Sequence, residues 1–153
     1  MQYSIINDVH TNLKIQLSAF AEYQDDLHPS SALDETIGQI KQELLSGSQI
    51  LIGTINEQPV ATVRFQIQEQ ALYFYRQSVL PKEQGNGYAK KLVAALENYA
   101  KKQNLNEVQC KVRYSVPRNL YLYASLDYEI IDEFDVIKSC GASIKTVTMA
   151  KKL

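Results

Sequence analysis

The spacing of apolar positions along the chain changes period several times, and each change marks a new element. After a short strand at residues 3–6, Leu13, Leu17 and Phe20 recur at helical intervals and predict a first helix. The run His28-Pro29-Ser30-Ser31 breaks that period. Ser31 with Asp34 then reads as a capping box ahead of Leu33, Ile37, Ile40 and Leu44, a second helix that Gly47 is placed to end. From Gln49 the period falls to two. Residues 50–55 and 61–67 flank the turn Asn56-Glu57-Gln58-Pro59, and in the second run Ala61, Val63, Phe65 and Ile67 alternate with Thr62, Arg64, Gln66 and Gln68, which predicts a hairpin. Glu69-Gln70 turns the chain into a strand at 71–79, which Pro81 closes because it has no N–H for a ladder.

Residues 87–103 place Ala89, Leu92, Val93, Leu96 and Ala100 on one face and Lys90, Lys91, Glu97, Asn98 and Lys101 on the other, the clearest helix in the chain. A strand at 107–113, a helix at 117–126 and strands near 128–137 and 144–150, joined through Ser139-Cys140-Gly141, complete the order βααβββαβαββ. The strand-helix-strand step in its middle requires a parallel, right-handed crossover inside an otherwise antiparallel sheet. The expected class is therefore α/β with a mixed sheet, mostly antiparallel, of seven strands and four helices. A length of 153 residues with 45 % hydrophobic content fits a single domain over 1–153 that fills its own core.

Composition narrows the function. No uninterrupted apolar run exceeds five residues, against the roughly 20 needed to span a bilayer. The opening MQYSIINDVH lacks the pattern of a signal peptide, so the expected location is the cytoplasm, with no membrane partner. Cys110 and Cys140 form no CxxC pair and lie apart from His10 and His28, so no metal site is expected. Cys110, alternating with Val108 and Val112, reads as a buried apolar side chain. Residues 1–60 carry eight acids against Lys14 and Lys41, a net charge of −6, while the remainder carries fourteen bases against nine acids, +5. The bases fall in scattered pairs instead of a stripe interleaved with aromatics, which argues against a nucleic-acid partner.

Chemistry concentrates in Val79-Leu80-Pro81-Lys82-Glu83-Gln84-Gly85-Asn86-Gly87-Tyr88-Ala89-Lys90-Lys91. Two of only six glycines lie one residue apart where a strand gives way to the best helix. Unpaired N–H groups and the helix dipole favour an anion there, and Lys90 and Lys91 have the wrong sign for that end unless an anion is bound. A phosphate fits the pattern; a tight turn with two solvated lysines is the structural alternative. No GxxxxGK[ST] is present, and GxGxxG from Gly85 meets Lys90 where its third glycine belongs.

Gln84-Gly85-Asn86-Gly87-Tyr88-Ala89 resembles the Q/R-x-x-G-x-G/A signature of the GCN5-related N-acetyltransferases (GNAT), through Gln84, Gly87 and Ala89. Arg118-Asn119-x-Tyr121-x-Tyr123-x-x-Leu126-Asp127-Tyr128 is similar to that family's second, aromatic-rich motif, and the element order matches over nearly the whole chain. The resemblance implies the GNAT acyl-CoA N-acyltransferase fold with a splayed parallel strand pair, and acetyl-CoA as co-substrate with no metal. It implies that acetyl-CoA lies in the opening between the strand ending at Val79 and the one ending near Arg113. The backbone of Ser78, Val79 and Leu80 is implied to pair with the pantetheine arm, and the amides of Gln84, Gly85, Asn86, Gly87, Tyr88 and Ala89 to hold the diphosphate, with Lys90 counted among the cofactor-binding residues. Asn119 falls where the family contacts the pantetheine arm, and Tyr123 where a tyrosine protonates the departing thiolate.

Two positions depart from the family pattern. Asp127 stands where a glycine is preferred, a substitution Asp tolerates because it visits the left-handed region. The strand before the phosphate loop, Tyr73-Phe74-Tyr75-Arg76-Gln77-Ser78, carries no carboxylate to act as general base, which leaves a water chain, Tyr75 or an acid of the first two helices. The implied reaction is transfer of acetyl from acetyl-CoA to a small-molecule or peptide amine by direct attack, in a monomer or homodimer; the alternative is an acyl-CoA-binding module of the same fold without chemistry. Glu22, Asp25, Asp26, Asp34 and Glu35 surround the loop at His28, with no base between Lys14 and Lys41. In the resembled family that region lines the acceptor side, so a cationic acceptor is expected; the same acids also suit a solvated surface.

Overall fold

The observed order of elements is the expected one. The computed structural model describes residues 1–23, 25 and 30–153. Its elements are β1 (Gln2–Ile5), α1 (Val9–Phe20), α2 (Ile37–Leu45), β2 (Gln49–Ile55), β3 (Gln58–Gln68), β4 (Ala71–Val79), α3 (Tyr88–Lys102), β5 (Glu107–Arg113), α4 (Pro117–Ala124), β6 (Glu129–Ile137) and β7 (Ser143–Lys152). The strands bond in the order β1-β2-β3-β4-β5-β7-β6, one seven-stranded sheet. β4 and β5 are its parallel pair, in register from Ala71↔Glu107 to Tyr73↔Gln109, whereas β1–β2, β2–β3, β5–β7 and β6–β7 are antiparallel. The chain divides into two compact units, Met1–Ile67 with Phe74–Leu96 and Gln68–Tyr73 with Glu97–Leu153.

Three local expectations are corrected in the first unit. Helix α2 starts at Ile37, not after Ser31: Thr36 and Gln39 form the capping box, while Ser31–Asp34 is a separate 3-10 turn capped by Ser30. The loop residues His28 and Pro29 lie outside the described residues. Gly47 ends α2 as expected, at φ +106, with its N–H on Leu44 C=O and the Ser48 N–H on Glu43 C=O, a Schellman closure. The hairpin turn is two residues instead of four: Asn56 and Glu57 take φ +50 and +66, so β3 begins at Gln58. Finally, α1 buries Val9, Asn12, Ile15, Gln16 and Ala19, leaving Leu17 exposed. The apolar spacing of Leu13, Leu17 and Phe20 therefore located the helix but not its inner face. That face packs on β3, whose Thr62 and Arg64 are as completely buried as Ala61, Val63 and Phe65 on its other side.

In the second unit the alternation of β5 is fully expressed. Val108, Cys110 and Val112 point inward, and Cys110 and Val112 stand opposite Met149 and Val147 of β7. Helix α4 starts on Pro117 at its first turn and closes through the Tyr128 N–H on Tyr123 C=O and the Asp127 N–H on Ala124 C=O. Asp127 holds φ +73, so it takes the left-handed position of a Schellman motif in place of glycine. The apolar contact that accompanies such motifs is Tyr128 against Tyr123, ring centroids 6.0 Å apart and edge-on.

Candidate functional site

Pro81 opens a 3-10 turn that ends β4, closed by the Glu83 N–H on Leu80 C=O at 2.8 Å. Gly85 and Gly87 follow at φ +85 and +77, where a side chain is strained even though a β carbon at either position would meet nothing within 4 Å. The first helical bond of α3 runs from the Lys91 N–H to Gly87 C=O at 3.1 Å. The N–H groups of Tyr88, Ala89 and Lys90 precede it and have no helical partner by geometry. Lys82, Lys90 and Lys91 are exposed, and the first turn of α3 holds no acid. Side chains brace the loop: Gln84 donates to Val79 C=O, Asn86 to Glu83 C=O, and Gln77 to Ala89 C=O at 2.7 Å. Its backbone is thus held open and electropositive, as an anion requires.

The strand ahead of this loop divides its N–H groups. Leu80 donates to Val60 C=O at 2.9 Å on the β3 side. Strand alternation directs the Val79 N–H to the opposite edge. Ser78 is buried, with its hydroxyl donating to Arg76 C=O at 3.2 Å. Arg76 itself holds φ +56 within β4, an irregularity that sends the side chains of two successive residues, Tyr75 and Arg76, toward carboxylates of the α1–α2 face.

Those carboxylates form a polar cluster that periodicity does not reveal. Arg64 is fully buried; it donates to Asn12 and Gln16 at 2.8 and 2.7 Å and to both oxygens of Glu35 at 2.7 and 2.9 Å. Arg76 Nε reaches the same carboxylate at 2.9 Å. Burial alone would raise the Glu35 carboxyl, but hydrogen bonds from Arg64 and Gln16 and the charges of Arg76 and Arg64 hold it below the usual carboxylate range. Beside it, Tyr75 donates to Glu43 at 2.5 Å and shares a 2.8 Å hydrogen bond with Ser48. Burial and the Glu43 carboxylate raise the Tyr75 phenol. Glu35 is therefore no part of an acidic mouth: of the expected acids, Glu22, Asp25 and Asp34 are exposed, and Asp26 lies outside the described residues.

On α4, Asn119 and Tyr123 stand four residues apart and so share a face, Asn119 half-buried and Tyr123 buried. Burial, with a smaller contribution from Cys110, raises the Tyr123 phenol, so it remains protonated through the neutral range. Burial pushes the Cys110 thiol up to about 12, which makes it an inert apolar side chain. Ser78, Val79, Leu80 and Gln84 through Lys90 thus lie on one continuous segment of the first unit, and Asn119 and Tyr123 on one helix of the second. Among the described residues no three His, Cys, Asp or Glu side chains gather as a metal would require, and no helix is long and apolar enough to cross a membrane.

The sequence profile of the acetyltransferase (GNAT) family matches residues 14–128. No protein of curated function matches the chain. Among solved structures, the ribosomal-protein-S18-alanine N-acetyltransferase of Escherichia coli superposes with a TM-score of 0.80 at 17 % identity, covering 99 % of this chain and 92 % of that one. YncA of Salmonella typhimurium, solved with its cofactor acetyl-CoA, gives 0.73 at 16 %, covering 100 % and 94 %. PaiA N-acetyltransferase of Thermoplasma acidophilum, in complex with coenzyme A, gives 0.72 at 13 %, covering 100 % of both chains. At these identities the likeness shows the fold.

Proposed function

Because the chain belongs to the acetyltransferase (GNAT) family, we propose that it transfers the acetyl group of acetyl-CoA to an amine by direct attack, as a single domain over 1–153. The observation that carries this reading is the loop at the start of α3, where two glycines at positive φ leave backbone amides and lysines presented to an anion. The diphosphate of acetyl-CoA lies on the amides from Gln84 to Lys90 in this reading. The Val79 N–H, the one directed away from β3, donates to the thioester end, and Asn119 contacts the pantetheine arm. The amine nitrogen bonds to the carbonyl carbon, the C–S bond breaks, and the sulfur takes the hydroxyl proton of Tyr123.

The proton leaving the nitrogen needs an acceptor. Tyr75 is a poor one because its phenol is raised and donates to Glu43. Glu35 is another poor base, held below the usual range by two guanidinium groups. Glu43 of α2 meets one guanidinium, Arg64 Nε at 3.5 Å, where Glu35 meets two, and its side chain keeps 30 % of its surface exposed, so it is the carboxylate that suits the role. The test is release of CoA thiol from acetyl-CoA by the purified chain, with a panel of polyamines, aminoglycosides, lysine peptides and amino acids as acceptors. Amine-dependent thiol release with an acetylated product supports the reading. Tight acetyl-CoA binding without release would instead favour an acyl-CoA-binding module, the reading supported by the lack of any carboxylate along Tyr73-Phe74-Tyr75-Arg76-Gln77-Ser78.

A further inference from the structure

The most strained point near the acyl-CoA strand is Arg76. A side-chain-bearing residue at φ +56 inside a strand persists only where its surroundings hold it. What holds it here is visible. Its Nε meets Glu35 at 2.9 Å and its Nη2 meets Ser31 at 2.9 Å. Glu35 is itself immobilised by the forked contact from Arg64, which is anchored in turn on Asn12 and Gln16. The charges balance, since two guanidinium groups meet the carboxylates of Glu35 and, 3.5 Å from Arg64 Nε, of Glu43.

We propose that Glu35, gripped between Arg64 and Arg76, is a positioning residue that locks the left-handed backbone of Arg76 and through it sets the direction of the strand that receives acetyl-CoA. This rests on the acetyl-CoA reading above. The transmission is short: Arg76 is two residues from Ser78, and the Ser78 hydroxyl is bonded to the Arg76 carbonyl. Rotation of Arg76 out of its positive φ would redirect the following peptide units and with them the Val79 N–H. An ion cluster buried only for stability would have no reason to seize the one residue of β4 in this conformation.

The test exploits a pair of substitutions that delete the same charge. Arg76→Gln still needs a positive φ but has lost the clamp; Arg76→Gly has lost the clamp and adopts a positive φ without strain. Acetyl-CoA affinity is measured by calorimetry for both, for the unmodified chain, and for Glu35→Gln in the unmodified and Arg76→Gly backgrounds. Arg76→Gln is expected to bind about tenfold more weakly than Arg76→Gly, the population effect of losing a strained conformer. Glu35→Gln is expected to weaken binding in the unmodified chain and to change it less than about twofold once Arg76 is glycine. Equal affinities for the two Arg76 variants would overturn the inference, and the comparison stands even if Glu35→Gln fails to fold, because both variants keep the Glu35–Arg64 pair. An unmodified chain without acetyl-CoA affinity would overturn the acetyl-CoA reading and the inference with it; an unmodified chain that binds, with equal variants, overturns the inference alone.

Discussion

Gly87→Val gives the most direct test of the proposed diphosphate loop. A β carbon at Gly87 meets no atom within 4 Å, so the substitution creates no collision in the chain; what it creates is backbone strain, because φ is +77. A β-branched residue in that region costs on the order of 1–2 kcal/mol, which the exposed loop can relieve by leaving the conformation. If that conformation is the one that presents amides to the diphosphate, the competent fraction falls to roughly 0.03–0.2 and acetyl-CoA affinity drops roughly 5- to 30-fold. The bulk of valine against the phosphate adds to this. Gly141 supplies the control: at φ +88 in the turn between β6 and β7, with nothing within 4 Å of its β carbon, Gly141→Val carries the same strain away from the loop. Calorimetry with acetyl-CoA, on variants shown folded by circular dichroism, is the assay. A Gly87→Val protein that binds as the unmodified chain does, or a Gly141→Val protein that loses as much affinity, would refute the assignment of the diphosphate to this loop.

Tyr123→Phe should lower kcat by about tenfold to a hundredfold with acetyl-CoA affinity nearly intact, the low end of general-acid effects, because a thiolate leaves readily and the raised phenol is a reluctant donor. An unchanged kcat under single-turnover conditions would remove it from the mechanism. A cationic amine should show a higher kcat/KM than an anionic one, and the preference should shrink with salt as the Debye length falls to about 8 Å at physiological strength; a preference that salt leaves untouched would contradict steering by Glu22, Asp25 and Asp34. Because the Glu35 carboxyl is lowered on folding from its ordinary 4.5, its contribution to stability is present above that pH and is lost as pH falls through the folded value. Urea titrations should show Glu35→Gln less stable by about 3 kcal/mol at pH 7, the low end for breaking a buried ion pair because Arg64 keeps Glu43 at 3.5 Å, with the gap closing as pH falls from 4.5 through the lowered Glu35 value; a gap that stays constant with pH would rule the pairing out.

The parts of the molecule that were legible in the sequence are those governed by local periodicity. Strand β4 and helix α3 are legible nearly to the residue, β4 because the turn at Glu69-Gln70 and Pro81 bound it and α3 because a 3.6-residue apolar pattern is intrinsic to it, and Asp127 is legible as a left-handed stop because its short side chain tolerates that conformation. The cluster around Arg64 was not legible for the same reason. Asn12, Gln16, Thr62 and Arg64 look like solvent-facing positions when polarity alone is counted, yet they are all buried, because the hydrogen bonds that join them to one another and to Glu35 span 19 to 52 residues, across α1, β3 and the approach to α2. A single signal stood in the sequence: the strand at 61–67 offers Thr, Arg and Gln to a face that the first two helices have to cover. A buried arginine there demands a carboxylate, and in the first 60 residues the acids outnumber the bases eight to two. The charge asymmetry therefore has an internal cause. Glu35 and Glu43 neutralise Arg64 and Arg76 inside the first unit, so only the exposed remainder of that acidic excess is available to attract an amine. That division makes the two proposed uses of charge separable by experiment, since salt would weaken steering by Glu22, Asp25 and Asp34 while leaving the buried clamp on β4 largely unscreened.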